Sequence, residues 1–313
     1  MLNRSFLEIL ACPHCLGELL ISSGFECQNC RRQFPMVEGV PILINEENSL
    51  FKIEDFTEKR ETTYKKSSVL KKILKQCIPS LNLNVKSAEN FQKLLALLHA
   101  RADNQCVLVI GGAIEGEGFD AKLFSDKVML VETDVAFGER TNLVCDAHDL
   151  PFKNETFDVV IAQAVLEHVL DPQRCVSEIE RVLKKDGLVY AETPFIQQVH
   201  AGRFDFTRFT HLGHRRLFRK FEEIESGAAC GAGMALAWSY CYFLQSFFSR
   251  PSLRRLAFAF GSLTGFWLKY FDYFLIDKAG NFDAASSFYF LGRKSDEILE
   301  DKVLIKGYRG LLQ

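Results

Sequence analysis

The chain has almost no net charge: 38 basic against 40 acidic side chains leave -2 over 313 residues. That excludes a global field for holding a polyanion. The local basic runs at 65–75, 214–220 and 250–255 read as solvated helix faces. Its beginning lacks a signal-peptide pattern, because the leucine-rich stretch after Ser5 reaches Cys12 with neither a long apolar core nor a small-residue cleavage site. No internal repeat is visible. Cysteine is not scarce, but four of the ten sit in two C-x-x-C pairs and the rest are scattered through apolar strings. That usage fits a reducing compartment, and the expected location is cytoplasmic, with membrane association left open. The length is that of one α/β domain plus additions.

Cys12-Pro13-His14-Cys15 and Cys27-Gln28-Asn29-Cys30 are separated by eleven residues, enough for a short hairpin that brings both pairs to one point. Four thiolates suit tetrahedral Zn2+, and a fragment this small needs the metal to fold. Two disulfides or a redox pair are the alternatives. His14 reads as a surface residue, not a fifth donor. The surrounding text, from Leu7 through Cys12 and from Phe34 to Pro41, resembles the small zinc-ribbon family that partners and activates methyltransferases, over roughly residues 2–45. The resemblance implies a structural ribbon whose four ligands Cys12, Cys15, Cys27 and Cys30 leave no open position for chemistry.

The expected division is a ribbon over 1–45, a linker and helical bridge over 46–103, and a main domain over 104–313. The linker expectation rests on the polar stretch 45–68. Asn90 is the expected N-cap of a helix whose Phe91, Leu94, Leu95 and Leu98 share one face.

In the main domain, 106–110 is wholly apolar and ends in Gly111-Gly112, with further glycines at Gly116 and Gly118. A buried strand entering a tight turn is expected. A second apolar run, 128–131, leads to Asp134, placed to accept both hydroxyls of a ribose. A nicotinamide enzyme shares these features, but Glu115, Glu117 and Asp120 near the turn would repel a pyrophosphate and tolerate the sulfonium and ammonium groups of S-adenosylmethionine.

Residues 144–152 and 155–169 resemble class I S-adenosylmethionine-dependent methyltransferases of the small-molecule type. The likeness runs from about 104 to 226 and returns at 287–292. It implies that Asp146 and Ala147 meet the adenine while Gln163 and Ala164 border the methionine part of the cofactor. Gly111, Gly112 and Gly116 form the cofactor loop, although the turn is longer and bulkier than the compact G-x-G-x-G. Asp171-Pro172 starts a helix striped by Val176, Ile179, Val182 and Leu183, with Lys184, Lys185 and Gly187 expected to close it before a strand at 188–193. The expected fold is α/β: a Rossmann-like, doubly wound, mostly parallel seven-stranded sheet with its ligand at the C-terminal strand edge.

Methyl transfer is an in-line displacement that needs alignment first, and a base only if the nucleophile must lose a proton. His168, Asp205, Arg208, His211 and His214 are the candidate catalytic residues, with His200 in the same crowd. Arg208 among aromatics could clamp an acceptor carboxylate or phosphate. Beyond a sixth strand at about 221–225, residues 226–276 form an apolar insertion, uncharged from 226 to 249. A helical pair packed on the domain or in a homodimer, an interfacial surface and a membrane span are the three readings. The acceptor is expected to be a small molecule, a sugar or a lipid-linked intermediate. An RNA methyltransferase, the ribbon then binding nucleic acid, and a non-catalytic binding protein of this fold are the alternatives.

Overall fold

A computed structural model describes residues 4–58, 78–101, 105–113, 124 and 127–311. Its centre is a seven-stranded sheet of β1 (Cys106–Ile110), β2 (Met129–Asp134), β3 (Leu143–Val144), β4 (Phe157–Gln163), β5 (Leu183–Pro194), β6 (Phe221–Cys230) and β7 (Ser287–Lys294). Across the sheet the order is β3-β2-β1-β4-β5-β7-β6, and only β7 runs antiparallel to its neighbours. This is the doubly wound α/β fold expected from the sequence.

Burial explains the unbroken apolar strings. Leu108, Ile110, Val160 and Ala162 enter the core on one face, packed with Cys175, Val176, Ile179 and Val182 of helix α2 (Pro172–Val182). Val107, Val109, Val159 and Ile161 enter the core on the other, against Phe91, Leu94 and Leu98 of helix α1 (Ser87–His99). A parallel sheet covered on both faces has no polar side to alternate with. Asp171 caps α2 by accepting the Arg174 N–H at 3.0 Å.

Several expected boundaries shift. Asn90 does not cap α1 but lies buried inside it, donating to Tyr190 at 3.2 Å. The α1 start is secured by Asn84, whose side chain accepts the Ser87 N–H at 2.9 Å. Lys184, Lys185 and Gly187 do not close α2: the helix stops at Val182 and the chain enters β5 at Leu183, with an irregularity between Leu183 and Leu188. Lys184 instead reaches back to Asp158 at 2.8 Å. Pairing with β7 carries β6 to Cys230, past the expected start of the insertion at 226.

The N-terminal ribbon is fused to this domain. Its strands Leu19–Ile21, Phe25–Cys27 and Gln33–Phe34 form a small antiparallel sheet. Phe6, Leu10, Phe25, Phe34 and Leu43 share one core with Leu108, Phe152 and Val160. Backbone bonds close the seam, Ala11 N–H to Pro151, Lys153 N–H to Ile9 and Leu43 N–H to Val144, each at 2.9 Å. Residues 45–51, polar enough to read as linker, are also tied down. Asn45 and Asn48 donate to Asp149 at 3.1 and 2.9 Å.

The insertion is a helical pair, α3 (Ala232–Ser246) and α4 (Pro251–Gly265), followed by a short helical run to Leu275. Among the described residues no helix is long and apolar enough to cross a membrane. Asp272, fully buried, caps α3 from outside by accepting the N–H groups of Gly231, Gly233 and Met234 at 3.1, 2.7 and 3.0 Å. Replacing it by alanine orphans three donors. Asp272→Ala is therefore expected to cost about 3 kcal/mol, read as a lower urea midpoint, whereas an unchanged midpoint would show that water serves those donors equally well.

Candidate active site

The four ribbon cysteines converge. Cys12 and Cys30 Sγ lie 3.7 Å apart, Cys15 and Cys27 Sγ 3.4 Å apart, and all four fall within 4.8 Å of one another. Those gaps are far too long for disulfides, and tetrahedral zinc with bonds of about 2.3 Å separates its sulfurs by roughly 3.8 Å. The donor set fits structural zinc. His14 stands outside it, 3.5 Å from Glu47.

At the C-terminal edge of the parallel strands lies a cavity of about 550 Å³ lined by Gly111, Asp134, Asp146, Ala147, Ala164 and His168, among others. Gly111 has φ +76°, and a Cβ there would sit 2.6 Å from Val165 Cγ2, so only glycine turns the chain here without closing the cavity. Ala164, at φ +55°, is a non-glycine residue in the same strained region, at the end of β4. Gly112 packs behind the loop against Glu132, and Gly116 lies outside the described residues, as do Glu115, Glu117, Gly118 and Asp120.

The two carboxylates that the sequence singled out face this common cavity but differ in state. Burial pushes Asp134 up to about 6 against the opposing pull of backbone N–H donors, of which Ala113 contributes one at 3.1 Å. Burial also raises Asp146, but bonds from His148 and Ser49 outweigh it and hold the carboxyl below its ordinary value. His148 donates through Nδ1 at 2.6 Å, since its Nε2 accepts the Asp171 N–H at 3.0 Å, and Ser49 donates at 2.5 Å. Phe51 stacks on Phe204, centroids 5.7 Å apart, to build one wall. Residues 49–51 and His148 were not legible as site residues; the only local signal was the Asp146-Ala147-His148 spacing.

A smaller cavity of about 190 Å³ shares Ala164 and His200 with the first and is lined further by Gln163, Glu167 and Glu192. Gln163 therefore turns away from the larger cavity and donates to Glu192 at 3.1 Å. At the junction stand His168 and His200, their Nε2 atoms 3.0 Å apart. Burial lowers the basicity of His168. Glu167, beneath them, is pushed up to about 8 by burial.

Two of the other catalytic candidates, His211 and His214, separate from this junction. His211 is buried against Phe282 and Phe288, bonds to Ser226 at 3.1 Å and is lowered to about 4 by burial. His214 packs edge-on to Phe218 in the core and is lowered to about 3. Both belong to the buried face of the helix His211–Leu217 and line neither of these two cavities. Arg208 does not clamp an acceptor either. Its donors go to the carbonyls of Gln197, Thr207 and Gln198 and to both oxygens of Asp205, which uses all the N–H groups a guanidinium has. Burial works against Asp205, but the Arg208 bonds hold it down to about 2, and it also accepts the His200 N–H at 2.9 Å. Asp205 and Arg208 are positioning residues for the loop that carries His200.

The family described as a methyltransferase domain matches residues 124–191, and the family described as Trm112p-like protein matches residues 3–39. The chain carries a methyltransferase domain and a Trm112-like ribbon. A UPF0434 protein of Mannheimia succiniciproducens is 41% identical to this chain over 49 residues, 15% of this chain and 80% of that protein. Over that short segment the chain belongs to the UPF0434 family. Phosphatidylethanolamine N-methyltransferase of Cereibacter sphaeroides is 48% identical over 44 residues, 14% of this chain. The chain thus spans only 22% of that relative's length. Phosphoethanolamine N-methyltransferase 2 of Haemonchus contortus, solved with S-adenosyl-L-methionine, is 18% identical, with a TM-score of 0.40, covering 69% of this chain and 55% of that one.

Proposed function

We propose that the methyltransferase modifies an amphiphilic acceptor, a lipid or lipid-linked small molecule, at a membrane surface. The observation that carries this reading is the inverted polarity of the helical insertion. The inner faces of α3 and α4 bury small residues, Ala235, Ala237 and Cys241 against Ala257, Gly261 and Ser262. Large side chains point out at helical spacing, Leu236 and Phe243 on α3, Phe247 at its C-cap, and Leu253, Leu256, Phe260 and Leu263 on α4. Phe247 and Phe274 are 68% and 76% exposed. A soluble surface helix carries the opposite pattern, and a continuous apolar face of this kind marks a binding surface. Arg250, Arg254 and Arg255 at the turn and start of α4 place cations where anionic head groups would meet them. The short likeness to phosphatidylethanolamine N-methyltransferase points the same way.

The cofactor supplies an electrophilic methyl group on a positively charged sulfur. In this reading Asp134 accepts the ribose hydroxyls, Asp146 and Ala147 border the adenine, and Gly111 lets the chain pass close by. Phe51 and Phe204 exclude water along one wall. The acceptor enters through the smaller cavity, and its nucleophile stands near the Nε2 atoms of His168 and His200; of the five catalytic candidates, His168 is the one in place for contact.

Incubation with methyl-labelled S-adenosylmethionine and a total bacterial extract is expected to place label in the lipid phase; label confined to RNA or protein would overturn the reading. Phe247→Ser with Phe274→Ser is expected to weaken binding to vesicles of anionic phospholipid by on the order of 10-fold or more, since each side chain contributes about 1 kcal/mol or more of apolar burial. Sedimentation with vesicles reads this, and unchanged binding contradicts a lipid-facing insertion.

A further inference from the structure

Two histidines at the junction of the cavities have their ring nitrogens spoken for on one side only. His168 Nδ1 lies 2.7 Å from the Phe204 carbonyl, which can only accept, so Nδ1 carries the proton and Nε2 is bare. His200 Nδ1 lies 3.3 Å from the Gln198 carbonyl and 3.5 Å from the Asp205 carboxylate, so the same assignment holds there. The two bare Nε2 atoms then face each other at 3.0 Å, an arrangement that needs a proton or a metal ion between the lone pairs.

A third donor completes it. Glu167 Oε1 is 3.7 Å from each Nε2, while Glu167 Oε2 is buried without any hydrogen-bond partner. The circle through three atoms with separations of 3.0, 3.7 and 3.7 Å has a radius of about 2.0 Å, the bond length of a first-row divalent ion to imidazole or carboxylate. The carbonyl and carboxylate partners at Nδ1 are those that orient histidine ligands of metals.

We propose that Glu167, His168 and His200 form a second metal site, for a divalent transition-metal ion, separate from the ribbon zinc. Two imidazoles and one carboxylate leave open positions, and both histidines line the larger cavity. An acceptor hydroxyl or phosphate can complete the coordination; this use of the ion rests on the methyl-transfer reading above, whereas the site itself does not. Bound there, an acceptor oxygen becomes more acidic and is held beside the methyl group.

The test titrates Co2+ into full-length protein whose ribbon already holds zinc, and reads bound cobalt by mass spectrometry and by its visible spectrum. One Co2+ per chain is expected, with a spectrum free of thiolate-to-cobalt charge transfer. His200→Ala and Glu167→Gln are each expected to weaken it by about 100-fold, and Asp205→Asn by about 10-fold through loss of the partner at Nδ1. The His200 side chain is 37% exposed, so its truncation leaves the core intact, and thermal melting confirms it. Absence of saturable cobalt uptake, or equal uptake by wild type and His200→Ala, overturns the site. Cobalt binding without lipid methylation leaves the site standing and removes only its role toward the acceptor.

Discussion

Asp134→Ala is expected to weaken S-adenosylmethionine binding by on the order of 100-fold or more. Two ribose hydroxyls lose a charged acceptor, each such bond contributing about 1.5–3 kcal/mol. The carboxyl also sits in a site that raises it to about 6 from an ordinary 3.8, so its titration is visible near neutrality. Cofactor affinity should fall as the pH drops through 6, because the protonated carboxyl is a poorer acceptor. Stability of the empty protein changes in the opposite sense. Between 3.8 and 6 the folded state holds a proton that the unfolded state has lost, so stability declines as pH rises through that window and levels off above it. Asp134→Ala removes both dependences. Calorimetric titration over pH 5 to 8, with thermal melts alongside, measures the pair; equal affinity in wild type and variant would mean that the ribose is held elsewhere.

Stripping zinc is expected to lower the melting temperature by roughly 10–20 °C and to reduce cofactor affinity as well. Structural zinc contributes about 10–16 kcal/mol in small ribbons, comparable to the whole stability of a domain. Even about 5 kcal/mol transmitted to the main domain produces such a shift at this size. Transmission is expected because Phe25 and Phe34 of the ribbon share a core with Leu108 and Phe152 of the domain. The effect on the cofactor follows from Ser49, which bonds Asp146 just beyond the ribbon's seam. Cys12→Ser with Cys15→Ser should reproduce the effect of a chelator. A ribbon that loses its zinc with neither a fall in melting temperature nor a change in affinity would be a passive appendage.

The fold was legible because its signals are local. Cys106–Ile110 is apolar without interruption, and Asp171-Pro172 starts a helix by a mechanism that holds in any context. The zinc ligands were legible for the same reason, four like side chains at short spacing. Tertiary contacts decided the rest. Asn90 looks like a cap and is instead a buried donor to Tyr190, a partner one hundred residues away. His211 and His214 stand in a histidine-rich stretch, but helical geometry turns both into an aromatic core. Glu167 was passed over beside His168, because adjacency in sequence gives no hint that His200 returns to the same point. The polar run 45–51 reads as linker, since the partners that tie its asparagines and serine to the domain, Asp146 and Asp149, lie about a hundred residues away.

In the proposed reading Asp134 and Asp146 flank a nucleoside site opening onto His168 and His200. A crystal structure of the zinc-loaded protein soaked with S-adenosylhomocysteine tests it most directly. The ribose hydroxyls are expected on Asp134, the adenine beside Asp146 and Ala147, and the sulfur turned toward the two histidines. A nucleoside bound in any other cavity, or none bound at saturating ligand, would contradict it.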